Sequence, residues 1–279
     1  MKNKTALITG ASSGIGKEFA KLHASRGGDL VVVARSKDKL NELKKELENK
    51  YRIKVMVIVK DLSLRNSAQE IYDEVKSANI KIDYLINNAG FGGRGEFHIR
   101  SMEQDIQMIE VNVITLTRLT KLFLPDFVKR GDGRILNVSS TAAIMPGPLQ
   151  AVYYATKAYV TSFSNAVWQE IKGTGVTITT LMPGAMDTGF SKASDMSNTP
   201  LFAKTVSPVD VAKDGYESML KGKLNVISGV RPLQRMFLAL APFTPKKIMM
   251  KQIYEMQKVL KLFHRLFLLL FLAKMLRLA

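Results

Sequence analysis

Residues 5–22 read TALITGASSGIGKEFAKL. Thr5 to Thr9 is a short apolar run, and from Ile15 the pattern turns helical through Phe19, Ala20 and Leu22. The order is therefore strand, glycine turn, helix. Gly10, Gly14 and Gly16 let the backbone turn tightly and approach a ligand with no Cβ in the way. The helix N-terminus adds free N–H groups and a positive dipole end suited to a pyrophosphate. The spacing is G-x-x-x-G-x-G rather than the commoner G-x-G-x-x-G. Thr9, Ser12, Ser13 and Ile15 complete the candidate ligand-binding turn.

Working outward, Leu30 to Ala34 reads as a second buried strand, and the following segment repeats Leu40, Leu43 and Leu47 at helical spacing. In a dinucleotide fold the end of this strand usually carries an acid for the adenosine ribose. Here it carries Ala34 and then Arg35, which favours a 2′-phosphate. Val55 to Val59 is the third strand, and it leads to Asp61-Leu62. Asp61 is a candidate acceptor for an adenine amino group and equally a turn aspartate, and Ser63 is placed to cap the next helix.

Tyr84 to Ile86 is a fourth strand that runs into Asn87, Asn88, Ala89 and Gly90, at the strand end where open parallel sheets bind ligands. Ser101 to about Leu124 reads as one long helix stopped by Pro125, with Asn112 in its middle, where asparagine gains little unless it bonds something. Arg134 to Val138 and Val176 to Met182 are the fifth and sixth strands. They deliver Ser139-Ser140 and Pro183-Gly184-Ala185-Met186-Asp187-Thr188. The polar stretch from Thr188 to about Val206 is expected to form a mobile lid. Ser207 caps a further helix, and Asn225 to Ser228 is a short last strand. Alternating strands and helices predict an α/β fold with a doubly wound parallel sheet, Rossmann-like.

Between the fifth and sixth strands, AVYYATKAYVTSFSNAVWQEI has no proline or glycine and reads as a helix. Tyr153 and Lys157, four residues apart, share one face of it. A phenol titrates near pH ~10, and a neighbouring ammonium favours its phenolate, so Tyr153 is a candidate general acid or base. Tyr154 meets Ala158 instead.

These motifs together resemble the short-chain dehydrogenase/reductase family over residues 5 to about 230. The match comprises TGASSGIG, Asp61-Leu62, NNAG, Asn112, Ser140 with Tyr153-x-x-x-Lys157, and PGAMDT, all in family order. The resemblance implies that Tyr153 donates a proton to a substrate carbonyl, while Lys157 lowers its pKa and bonds the nicotinamide ribose. By the same resemblance Ser140 orients the carbonyl oxygen, Asn112 holds a water of a proton relay, and Thr188 touches the nicotinamide carboxamide. Thr9, Gly10, Ser12, Ser13, Gly14, Ile15, Gly16, Arg35, Asp61, Leu62, Asn88, Ala89, Gly90, Pro183, Gly184 and Met186 are the remaining expected cofactor residues. Arg35 points to NADP(H) over NAD(H), although Ser13 stands where many NADPH-preferring members carry a basic residue. The reaction implied is hydride transfer between NADP(H) and a carbonyl or alcohol, with an apolar substrate of 3-oxoacyl or steroid type. A catalytically silent dinucleotide-binding sensor or scaffold is the alternative. A homodimer or homotetramer is implied as well.

Composition sets the frame for this reading. The chain has 279 residues, no cysteine and three histidines, which excludes disulfides and thiolate metal sites and makes a metal centre an unneeded assumption. No apolar segment of signal-peptide length precedes the first strand, so a cytoplasmic location is expected. The net charge of +17 suits anionic partners, but the basic residues form no recognisable nucleic-acid module. Residues 203–279 hold fourteen Lys and Arg against four Asp and Glu, a net of 14 − 4 = +10. The expected division is a catalytic domain over 1–230 and a basic, apolar extension over 231–279. Within it, 259–279 has an apolar core of eight residues, too short to span a bilayer. It suits an interfacial helix at a membrane surface or a contact with a partner subunit.

Overall fold

The computed structural model describes residues 1–186, 188–202 and 205–258. Seven parallel strands form one sheet in the order β3-β2-β1-β4-β5-β6-β7. They are β1 (Thr5–Thr9), β2 (Asp29–Ala34), β3 (Val55–Val59), β4 (Tyr84–Asn87), β5 (Gly133–Val138), β6 (Val176–Pro183) and β7 (Asn225–Ser228). The helices are α1 (Gly14–Ser25), α2 (Lys37–Tyr51), α3 (Ser67–Ser77), α4 (Met102–Ile109), α5 (Leu116–Arg130), α6 (Ala151–Glu170), α7 (Phe190–Ala193), α8 (Pro208–Leu220), α9 (Pro232–Leu240) and α10 (Lys246–Gln257).

Both sheet faces are covered, which is why the strands read as nearly continuous apolar runs. Strand residues alternate between two cores. Ala6, Ile8, Leu30 and Val32 meet Phe19, Leu40 and Tyr216 on one side. Leu7, Val31, Val33 and Leu85 meet Ile71, Phe123 and Phe127 on the other. The strand order reverses between β1 and β4, so a crevice opens outside the carboxyl ends of these two strands.

Two local expectations are corrected. The helix predicted over 101–124 is α4, then a π-helical turn at Glu110–Thr115, then α5, which continues through Pro125 to Arg130. Pro125 lies on the exposed face of α5, while Phe123 and Phe127 hold the opposite face in the core. Gly131, left-handed at φ 68°, ends the helix instead. Ser63 does not cap α3, which begins at Ser67 after Asn66. Its N–H and hydroxyl both donate to Asp61 Oδ1, at 2.9 and 2.8 Å, closing a turn. The stretch after Thr188, expected to form a lid, contains α7 and a 3₁₀ turn at Pro200–Phe202, and it buries Met196 and Thr199.

The expected interfacial helix at 259–279 lies outside the described residues, as does Asp187. Among the described residues, no helix is long and apolar enough to cross a membrane, and no cluster of side chains suits a metal ion.

Candidate active site

The glycine turn is tied to the end of β4 by side chains. Thr9 Oγ1 accepts from the N–H groups of Asn88 and Ala89, both at 3.0 Å, and Asn88 Nδ2 donates to the Thr9 carbonyl at 2.8 Å. Gly10 sits at φ 67°, in the left-handed region. At Gly16 an added Cβ would stand 2.3 Å from the Gly10 carbonyl oxygen, so only glycine allows this approach of α1 to the turn. The first N–H groups of α1 have no intrahelical partner, and Ser13 at the N-cap makes no side-chain capping bond. Thr188 lies over the same turn, its Cγ2 3.6 Å from where a Gly14 Cβ would be. This cradle fits the pyrophosphate of a nicotinamide dinucleotide.

Along the crevice, the adenosine end would meet residues that follow β2 and β3. Arg35 is exposed beyond β2. Burial raises the Asp61 carboxyl, but the two Ser63 hydrogen bonds and the Arg35 charge outweigh it and hold the group below the usual carboxylate range. Asp61 is thus already engaged as a turn aspartate. Leu62 is buried, and its carbonyl accepts from Thr115 Oγ1 at 2.7 Å.

Beside β5 the four expected catalytic side chains converge. Tyr153 is buried on α6, and burial pushes its phenol up to about 12, opposed only by the facing Ser140 hydroxyl. This differs from the expectation of a phenol lowered by Lys157. The Lys157 ammonium is buried as well, which brings it down to about 8, and it donates to the Val138 carbonyl at 3.0 Å. Its Nζ lies 5.8 Å from the Tyr153 ring centroid. A phenol that holds its proton at neutral pH suits an acid awaiting a carbonyl.

The two serines at the end of β5 divide. Ser139 Oγ is spent on the Lys157 carbonyl and Thr161 Oγ1, each at 2.8 Å, whereas Ser140 faces the phenol. Ser140 also reaches the Pro183 carbonyl at 3.5 Å, linking β5 to the strand that leads to Gly184 and Met186. Asn112 occupies the π-helical turn, a local widening that often marks functional positions. Its amide clasps the Phe91 backbone in both directions, accepting from the N–H at 3.1 Å and donating to the carbonyl at 2.9 Å, and it donates to Thr156 Oγ1 at 3.1 Å. A Cβ on Gly90 would stand 2.9 Å from Asn112 Oδ1 and 3.2 Å from Lys157 Nζ, which places these two groups on one side of the NNAG loop.

Sequence reading missed what surrounds the phenol. Phe190 of α7 lies 5.4 Å from the Tyr153 ring, and Phe91, Met145, Phe237, Met249 and Ile253 complete an apolar wall. Tyr154 is held by α10, through Gln257 Nε2 to its hydroxyl at 3.1 Å, and Gln150 Nε2 donates to Gln257 Oε1 at 2.7 Å. A glutamine more than a hundred positions away carries no local signal.

Fold and site together define a nicotinamide-dependent oxidoreductase of the doubly wound class. The chain belongs to the short-chain dehydrogenase/reductase family: the family model described as short chain dehydrogenase matches residues 4–198. It is 34% identical over 225 residues to a very-long-chain 3-oxoacyl-CoA reductase of Anas platyrhynchos, covering 78% of this chain and 71% of that protein. It is 35% identical over 193 residues to the Mus musculus protein of the same name, covering 67% of this chain and 61% of that one. The chain therefore spans roughly two thirds of the length of these relatives. A short-chain dehydrogenase from Sphingobium yanoikuyae, solved in complex with NADPH, superimposes with a TM-score of 0.77 at 29% identity, over 92% of this chain and 98% of that one.

Proposed function

We propose that this protein is an NADP(H)-dependent reductase of apolar 3-oxoacyl substrates, with Tyr153 as the proton donor. The observation that carries the reading is the buried Tyr153 phenol between Ser140 and Lys157, at the open end of the sheet beside the glycine cradle. The acyl substrate is supported by the names of the relatives and by the apolar wall of Phe91, Phe190 and Met249. Bound NADPH supplies the hydride. The chain's own residues do the rest: Ser140 and Tyr153 donate to the carbonyl oxygen, and Tyr153 gives up its proton as negative charge develops there. The Lys157 ammonium steadies the resulting phenolate, and the apolar wall excludes water. Arg35 and Asp61 are proposed to hold the adenosine end, and Asn112 to fix the Phe91 loop against the reacting groups. A silent scaffold would have no need of all four catalytic side chains in one place.

The same proposal takes residues 1–230 as the catalytic domain and 231–279 as its extension. It also has the protein act at a cytoplasmic membrane surface as a homodimer or homotetramer. An apolar cavity of about 260 Å³ lined by Ile109, Val113, Val152 and Tyr159 supports contact with a second copy.

The test is NADPH consumption, followed by its absorbance, with 3-oxoacyl-CoA substrates of increasing chain length. Tyr153→Phe is expected to lower kcat by about 10²–10⁴ with cofactor binding intact, general acid catalysis being worth that much, and Tyr154→Phe to do far less. Absence of turnover in the wild type, or equal effects of the two substitutions, would refute the reading.

A further inference from the structure

Helices α9 and α10 have two unlike faces. The inner one places Met249, Ile253 and the intervening Ala241 in the cluster around Tyr153. The outer one carries Leu233, Met236 and Leu240 at helical spacing on α9, followed by Phe243, and these are 72, 55, 53 and 84% exposed. Single exposed apolar residues are ordinary, but four on one line make a stripe that water does not favour. In sequence the stripe is flanked and interrupted by Arg231, Arg235, Lys246, Lys247 and Lys251, all exposed. Residues 231–258 hold six Lys and Arg against one acid, and that acid, Glu255, is paired with Lys258 at 2.7 Å.

We propose that this face docks on an anionic lipid bilayer, with Leu233, Met236, Leu240 and Phe243 entering the acyl boundary and these cations lying at the headgroups. Charge selects this occupant. A second copy bound through the same face would set a net 6 − 1 = +5 against itself. Residues 259–279 of this chain carry four Lys and Arg and no acid, so they too would repel these cations. Only a surface that is negative outside and apolar beneath satisfies both the stripe and its cations. Because the inner face of the same helices walls the Tyr153 cluster, docking would set that wall against the membrane. The surface argument does not depend on the proposed reaction, and its test needs no turnover.

The full-length protein is sedimented with vesicles of phosphatidylcholine containing phosphatidylserine, and with phosphatidylcholine alone. Binding is expected to the anionic vesicles only, and to weaken with salt. Leu233→Ser/Met236→Ser/Phe243→Ser is expected to lower vesicle affinity by about tenfold or more without changing thermal unfolding. Arg235→Glu/Lys247→Glu, a second variant at exposed positions, is expected to do the same. If the wild type ignores anionic vesicles, or if both variants bind like wild type, the proposal fails. It fails equally if the triple substitution instead abolishes a concentration-dependent dimer seen by analytical ultracentrifugation in protein that does not bind vesicles.

Discussion

Arg35 shows how far one residue can carry a functional choice. It follows β2 and is exposed, and its charge is one influence keeping Asp61 ionised. A guanidinium there is proposed to bind the 2′-phosphate that separates the two nicotinamide cofactors. Arg35→Ala is expected to raise the Michaelis constant for NADPH by roughly tenfold or more, a charge-assisted bond being worth about 1.5–3 kcal/mol, and to leave that for NADH unchanged or lower. Steady-state kinetics with both cofactors checks this. A wild type that prefers NADH would sink it. Tyr153 was legible from its spacing to Lys157, but its ionisation was not. Burial, which spacing does not encode, outweighs the Ser140 hydrogen bond and leaves the phenol raised.

Among the elements, α10 braces α6, the helix that carries Tyr153. Gln257, fully buried, joins Tyr154 and Gln150 across the junction of α6 and α10. Gln257→Leu leaves both partners buried with a bond unmade, which is expected to cost about 1–3 kcal/mol. Because α10 also supplies Met249 and Ile253 to the wall, its loosening is expected to raise the KM of a long-chain substrate more than it lowers kcat for a short one. Thermal unfolding and chain-length kinetics measure the two effects, and unchanged values in both would show that α10 does not brace the site. The π-helical turn belongs to this scale too. EVNVIT looks like ordinary helix in one dimension, and only the reach of Asn112 to Phe91 gives the widened turn its purpose.

For the molecule as a whole, acid stability rests on a side chain remote from the crevice. His23 is fully buried on α1, facing Tyr216 of α8; burial brings it down to about 4, against backbone bonds that favour its charged form. Nε2 faces the Lys4 carbonyl at 3.1 Å and must donate, so Nδ1 accepts from the Tyr216 hydroxyl at 2.6 Å. Above pH 6.5 the ring is neutral in both folded and unfolded chains. As pH falls, the unfolded chain takes up a proton that the folded chain refuses until about 4, so stability drops through this window. Between pH 6.5 and 5 the loss from this group is expected to be about 2 kcal/mol. Urea unfolding across that range measures it, and His23→Gln is expected to flatten the slope; equal slopes in both proteins would assign the acid sensitivity elsewhere.

By itself the sequence determined the order of strands and helices along the chain, the parallel sheet, the glycine turn and the shared helix face of Tyr153 and Lys157, whereas the proposed roles of Asn112 and Ser140 came only with the family resemblance. The former follow from short-range rules: apolar runs that only a doubly covered strand can hide, glycine where no Cβ fits, and a four-residue spacing that stacks two side chains. Tertiary structure alone decided that Ser139 is consumed by Lys157 and Thr161 while Ser140 stays at the phenol, that α5 survives Pro125, and that α9 and α10 fold back to wall the site. Each of these depends on which distant groups compete for the same hydrogen bond or the same buried area, and that competition exists only once the chain has closed on itself.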